Sequence, residues 1–206
     1  MKKLVIICSA LILTGLMLSS SFATIVRSPD PLDKGASEFS LNLAFTPAQG
    51  MGSNDTVDAG FGYEYGVTDL LGIKGILGST SGGGDSSNYF TLGADYAIQK
   101  DSPNGFGVSL QGSILKPLVA DAGDFLMYSP SVVIGKRMGQ FYPFCGLGLV
   151  IVSNGSHSLN EWELNVATKY NFTANLNAVI NYNFICLDSK GGDNAYQFSG
   201  SLAYTL

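Results

Sequence analysis

Along most of the chain, large apolar residues alternate one for one with polar or small ones. In the last segment, Tyr196, Phe198, Leu202, Tyr204 and Leu206 share one parity with Gly200, while Gln197, Ser199, Ser201, Ala203 and Thr205 hold the other. A period of two sends successive side chains to opposite faces, so this is a strand with one greasy face. Phe39, Leu41, Leu43 and Phe45 alternate in the same way with Glu38, Ser40, Asn42 and Ala44. Val57, Ala59, Phe61, Tyr63 and Tyr65 alternate with Asp58, Gly60, Gly62 and Glu64. Residues 88–98, 105–115, 160–170 and 175–185 repeat the pattern, and 70–78, 126–136 and 141–151 carry it less cleanly. The pattern predicts ten strands, at 37–45, 56–65, 70–78, 88–98, 105–115, 126–136, 141–151, 160–170, 175–185 and 195–206. Pro130 falls inside the sixth and removes one ladder donor, which predicts a bulge there or a later strand start.

The connections alternate too. Tight ones at 66–69, 99–104, 137–140 and 171–174 follow the even strands, and longer ones at 46–55, 79–87, 117–124, 153–159 and 187–194 follow the odd ones. Short turns on one side, longer loops on the other and an even strand count describe a bacterial outer-membrane barrel, with both termini at the periplasmic side. A soluble barrel would alternate as well, with its apolar face inward. Here aromatics sit near strand ends on the apolar face (Phe45, Tyr65, Tyr96, Trp162, Tyr170, Phe184 and Tyr204), as interfacial girdles require. The opposite face is small and polar, which suits a narrow interior. The fold class read from the sequence is therefore all-β: a closed antiparallel transmembrane β-barrel of ten strands, with eight or twelve as the bracket. Closure satisfies every backbone group without exposing a sheet edge to lipid.

The N-terminus adds export. Lys2 and Lys3 precede an apolar stretch from Leu4 to Leu18, and Ser21-Phe22-Ala23 supplies small residues before a cut, so 1–23 reads as a cleaved signal peptide. Cys8 lacks the context of a lipid-anchored cut. Residues 24–35 read as a flexible or loosely docked lead-in, and 36–206 as the barrel. Without the signal the chain holds 9 basic against 16 acidic residues, which argues against nucleic acid and against adhesion to anionic headgroups. Cys145 and Cys186 are placed at opposite ends of the barrel, so no disulfide is expected. One His and two separated Cys assemble no zinc site, and no cofactor is implied.

The signal peptide, YEYGVTDLLGIKG at 63–75, FYPFCGLGLVIV at 141–152 and the closing SLAYTL resemble the small bacterial outer-membrane β-barrel proteins of the opacity-type and porin-like group. The resemblance implies insertion by the barrel assembly machinery and contact with outer-membrane lipid and lipopolysaccharide. Members of that group usually end on an aromatic residue, whereas this chain ends on Leu206 with Tyr204 two before it.

Candidate chemistry lies on the polar face. Glu64, Lys74 and Asp95 fall at similar heights near the tight-turn end, with Lys169 within reach, which predicts an interior charge cluster that fixes barrel shape rather than moving a solute. Asp58, Glu161 and Glu163 predict an acidic outer mouth that would favour cations if the barrel conducts. His157, in SNGSHSLNEWE, has serines and carboxylates nearby, as a lipid hydrolase would. Its immediate neighbour Ser158 points to the opposite face, which makes a poor acid–base pair. SGGGDSS at 81–87 precedes a strand and so forms no phosphate cradle. The reading is a monomeric, non-enzymatic barrel with a structural or interaction role. A narrow, weakly cation-selective pore is the alternative, and an outer-membrane lipid-modifying enzyme the third.

Overall fold

The computed structural model describes residues 27–48, 55–82, 85–118, 125–154, 157–186 and 195–206. The segment read as a signal peptide and most of the connections at 46–55, 117–124 and 187–194 lie outside the described residues. The strands are β1 (Ser37–Thr46), β2 (Thr56–Gly66), β3 (Leu71–Gly82), β4 (Asp85–Gln99), β5 (Gly107–Pro117), β6 (Phe125–Tyr128), β7 (Ser131–Gly135), β8 (Phe141–Asn154), β9 (His157–Asn171), β10 (Leu176–Cys186) and β11 (Ala195–Thr205). Each pairs antiparallel with its neighbours, and β11 pairs with β1, from Glu38 opposite Thr205 to Phe45 opposite Phe198. The sheet is thus closed, and no strand edge is left to face lipid.

β6 and β7 are two pieces of one stave, so the barrel has ten staves. The break at Pro130 is not a bulge. Tyr128 faces Ile114 and Ser131 faces Gln111 in one unbroken register, and the same holds against β8, where Tyr128 faces Ile151 and Ser131 faces Gly148. Leu149 N–H donates to the Pro130 carbonyl at 2.9 Å, and proline has no N–H to return the bond. One hydrogen bond is lost while the register is kept. A true register shift occurs instead near the end of β4, between Ala97 and Gln99.

Two of the expected loops are strand. β3 and β4 stay paired as far as Gly82 and Asp85, and β8 and β9 as far as Asn154 and His157, so 79–87 and 153–159 are largely the ends of long hairpins. Alternation there is weak because Ser, Gly and Asn serve both faces, and a period of two needs contrast to be seen.

The apolar parity faces outward. Phe61 is 73% exposed, and Leu41, Ile73, Leu92, Leu110, Leu147, Val166 and Ile180 are exposed as well. Outward aromatics pair across strands in two bands. Phe141, Tyr170 and Phe172 stack near the tight-turn end, with centroids 4.8 Å apart in each contact. Phe45, Tyr182, Phe184, Tyr196 and Phe198 form the band at the other end, with centroids 4.9–6.3 Å apart. Such tilted pairs add to the area they cover, and bands at both boundaries are where amphipathic rings sit in a membrane barrel.

Inward, the small and polar residues are joined by apolar ones that the alternation does not advertise. Val133, Phe144, Ala167 and Val179 make one buried cluster over β7 to β10. Ile76, Tyr89, Leu115, Met127 and Val150 make a second over β3 to β8, with Val152 packed against it. These clusters explain the poor alternation of segments 70–78, 126–136 and 141–151. Their inward residues are also apolar, so both parities look greasy.

Candidate functional site

From Arg27 onward the lead-in is docked by many specific contacts rather than loosely. From Arg27 it enters the tight-turn end of the barrel, and Arg27 and Ser28 are buried there. The Arg27 backbone N–H donates to Gln111 Oε1 at 3.0 Å, and Gln111 Nε2 donates back to the Arg27 carbonyl at 2.9 Å, as a strand partner would. The Arg27 guanidinium then crosses to the far wall. Nη1 donates to Glu38 Oε1 at 3.1 Å, Nη2 to Ser40 Oγ at 3.0 Å, and Nε lies 3.7 Å from Glu64 Oε2. The second Glu38 oxygen accepts from Asn177 Nδ2 at 2.9 Å and Thr205 Oγ1 at 3.1 Å. Buried charges persist when they are paired and hydrogen-bonded in this manner.

A second anchor holds the segment at the rim. Asp30 accepts from Tyr142 Oη at 3.1 Å and from the Asp101 backbone N–H at 2.9 Å, and Arg137 lies 3.7 Å from it. Lys136 reaches Asp101 at 3.7 Å and donates to the carbonyls of Ser102, Pro103 and Gly105. Farther along, Gly35 N–H donates to the Gly66 carbonyl at 2.8 Å. The segment is therefore tied to β1, β2, β5, β8 and two of the tight turns before β1 begins.

The four residues expected in the interior charge cluster lie around Arg27. Glu64 stands opposite Lys74 on the β2–β3 ladder, and Asp95 stands opposite Gly72, two positions from Lys74 on the same face. Glu64, Lys74 and Asp95 are all buried. Lys74 lies within electrostatic reach of Glu64 and Asp95, and Lys169 within reach of Glu38 and Glu64. Two glycines make the room. A Cβ on Gly93 would lie 2.6 Å from Lys74 Cε, and one on Gly72 would lie 2.7 Å from Asp95 Oδ1.

Arg27 and Glu38 were missed from the sequence. Arg27 lies outside any alternating segment, and its neighbours Ser28, Pro29 and Asp30 read as a linker. The signal that could have found it is charge balance. Among the described residues, the wall carboxylates Glu38, Glu64 and Asp95 have Lys74 and Lys169 as wall cations beside them, two against three, and Arg27 is the third.

The three carboxylates assigned to an outer mouth do not form an open ring. Asp58 and Glu163 are only 2% and 1% exposed, and Glu161 is the partly exposed one. Thr80 Oγ1 donates to Asp58 Oδ1 across the β2–β3 ladder. Glu163 faces Gly148 and Ile185 on the neighbouring strands. Above the ion group, Asn181 Nδ2 donates to Asn183 Oδ1 at 2.7 Å and Asn183 Nδ2 to Gln197 Oε1 at 2.9 Å, which carries a polar ladder up the β10–β11 wall. His157 opens β9, and its side chain lies outside the described residues. Cys145 and Cys186 point outward from β8 and β10. They stand opposite Val166 and Trp162 of the same strand β9, closer along the wall than opposite ends would be.

With this geometry in hand, solved structures place the fold. The chain is similar to the COG4313 outer-membrane channel of Pseudomonas putida F1, with 13% identity over 89% of this chain and all of that one, at a TM-score of 0.53. It also aligns with the N-terminal β-barrel domain of OprF from Pseudomonas aeruginosa, at 12% identity, 85% and 100% coverage and a TM-score of 0.43. Ail, the attachment invasion locus protein of Yersinia pestis, aligns at 13% identity, 84% and 99% coverage and a TM-score of 0.39. No protein-family model matches the chain, and no curated protein does. The architecture is that of bacterial outer-membrane β-barrel proteins.

Proposed function

We propose that the chain is a bacterial outer-membrane barrel, with both termini periplasmic, that works through envelope structure or surface contact and keeps its lumen closed. The observation that carries this reading is the dryness of the interior. Lumen-facing polar residues from one end to the other, such as Asp95 at 1% exposed, Asn165 and Asn183 at 0% and Gln197 at 2%, are inaccessible to water, whereas the wall of an aqueous pore is wetted. The buried ion group and the two apolar clusters fill the space between. This assigns Glu64, Lys74, Asp95 and Lys169 to holding the barrel's shape. Insertion by the barrel assembly machinery and a monomeric state in lipid and lipopolysaccharide belong to the same proposal.

One observation favours the pore as the second reading. The central cation, Arg27, comes from the lead-in and not from the wall, so closure depends on a segment that could leave. Swelling of proteoliposomes in small sugars separates the two. The closed barrel gives swelling no faster than protein-free vesicles, and swelling that scales with protein content establishes a pore.

A further inference from the structure

The lipid-facing wall carries a trough. Three outward residues that stand side by side on β4, β5 and the β6–β7 stave, namely Ala94, Gly112 and Pro130, are small or flat. The outward row on one side of them is Leu92, Ile114 and Tyr128, and the row on the other is Tyr96, Leu110 and Val132. Both rows are large and exposed, so they stand as ridges along a floor of bare backbone. The cavity on this face holds about 860 Å³, is bordered by the first row, Leu92, Ile114 and Tyr128, together with Ile73 and Ile151, is lined almost wholly by apolar atoms and extends to Gly75 on β3. That volume falls within the ~300–1,000 Å³ of small-molecule sites. The glycines are not there to accommodate a neighbour. A Cβ on Gly112 would meet nothing within 4 Å, and one on Gly75 only ordinary contacts at 3.8–4.0 Å.

Such a space cannot stay empty in a membrane. An unfilled void forfeits dispersion contacts along its lining, and no water is at hand in the hydrocarbon to fill it. The trough is continuous with the outward face that lipid chains cover, and although Lys74, Tyr63 and Tyr128 contribute to its lining, the surface it exposes is almost wholly apolar, which suits a hydrocarbon chain. We propose that it is a binding site for one acyl chain of a membrane phospholipid, held as a resident lipid that exchanges more slowly than those on the ridged wall. The proposal rests on the barrel being embedded in the outer membrane.

Native mass spectrometry of the protein, purified in mild detergent and offered dioleoylphosphatidylethanolamine or lipid A in turn, tests it. The wild type should retain one phospholipid. Gly112→Phe, whose ring enters open space, should lower that retention by about tenfold. Ile180→Phe, which enlarges an exposed residue on β10, should leave it unchanged. Equal retention by wild type and Gly112→Phe overturns the proposal. So does wild type without a bound lipid, a preference for lipid A, or a second copy of the chain in the trough. Heat-modified gel migration run on each sample reports membrane-barrel folding separately. If Gly112→Phe fails that check, Ala94→Leu takes its place with the same two outcomes.

Discussion

Two regions of the barrel fill the lumen by opposite means, although the second apolar cluster reaches across to Ile76 on β3 and Tyr89 on β4. From β1 to β4 the inward face offers Glu38, Glu64, Lys74 and Asp95, and Arg27 from the lead-in pairs with Glu38 and Glu64. From β6 to β8 the inward face offers Met127, Val133, Phe144 and Val150, which pack against one another and against their neighbours without any polar bond. The outer faces of both regions carry exposed large apolar residues. The charged half ties the N-terminal segment down and fixes a register through directional bonds. The apolar half excludes water and requires only volume to be filled.

The largest predicted effect breaks the charged half. Arg27→Met should cost about 3–5 kcal/mol, because it leaves Glu38 and Glu64 buried without their shared cation. Unfolding in urea from lipid vesicles, followed by tryptophan emission, measures it. A second substitution, Glu38→Gln, should recover part of the loss, and two fully additive losses would show that the pair is not coupled. The matching break in the apolar half is Phe144→Ala, with an expected cost of about 3 kcal/mol from lost contact and the cavity left behind. Its effect should be independent of salt. Tyr142→Phe removes one bond from the Asp30 rim anchor and should cost about 1 kcal/mol. Pro130→Val, between β6 and β7 within the apolar half, restores the missing N–H to the Leu149 carbonyl and should stabilise the barrel by about 0.5–1.5 kcal/mol. A loss there would mean that the proline ring, and not the bond, matters to packing.

This contrast also explains what was legible in the sequence. Strands β1, β2 and β11 alternate cleanly because their inward residues are polar or small, and which face each residue takes follows from the parity alone. Segments 70–78, 126–136 and 141–151 alternate poorly because Ile76, Met127, Phe144 and Val150 turn apolar groups inward. The sixth stave survives Pro130 because one absent donor leaves the bonds on either side of it intact. Of the ion group, the four residues carried by strands could be placed by height and parity. Arg27 could not, since a residue outside the sheet has no register to place it. The acidic mouth misled because parity tells inside from outside but not wet from dry: Asp58 and Glu163 do face inward, into a space already filled.

Single-channel recording in planar bilayers tests the closed lumen most directly. Wild-type protein should give no current steps above those of the bare membrane, while Arg27→Ala, if it remains folded by heat-modified migration, should give brief cation-preferring steps as the lead-in loosens. Stable steps from the wild type, unchanged by the loss of Arg27, would contradict the account and make the barrel a pore.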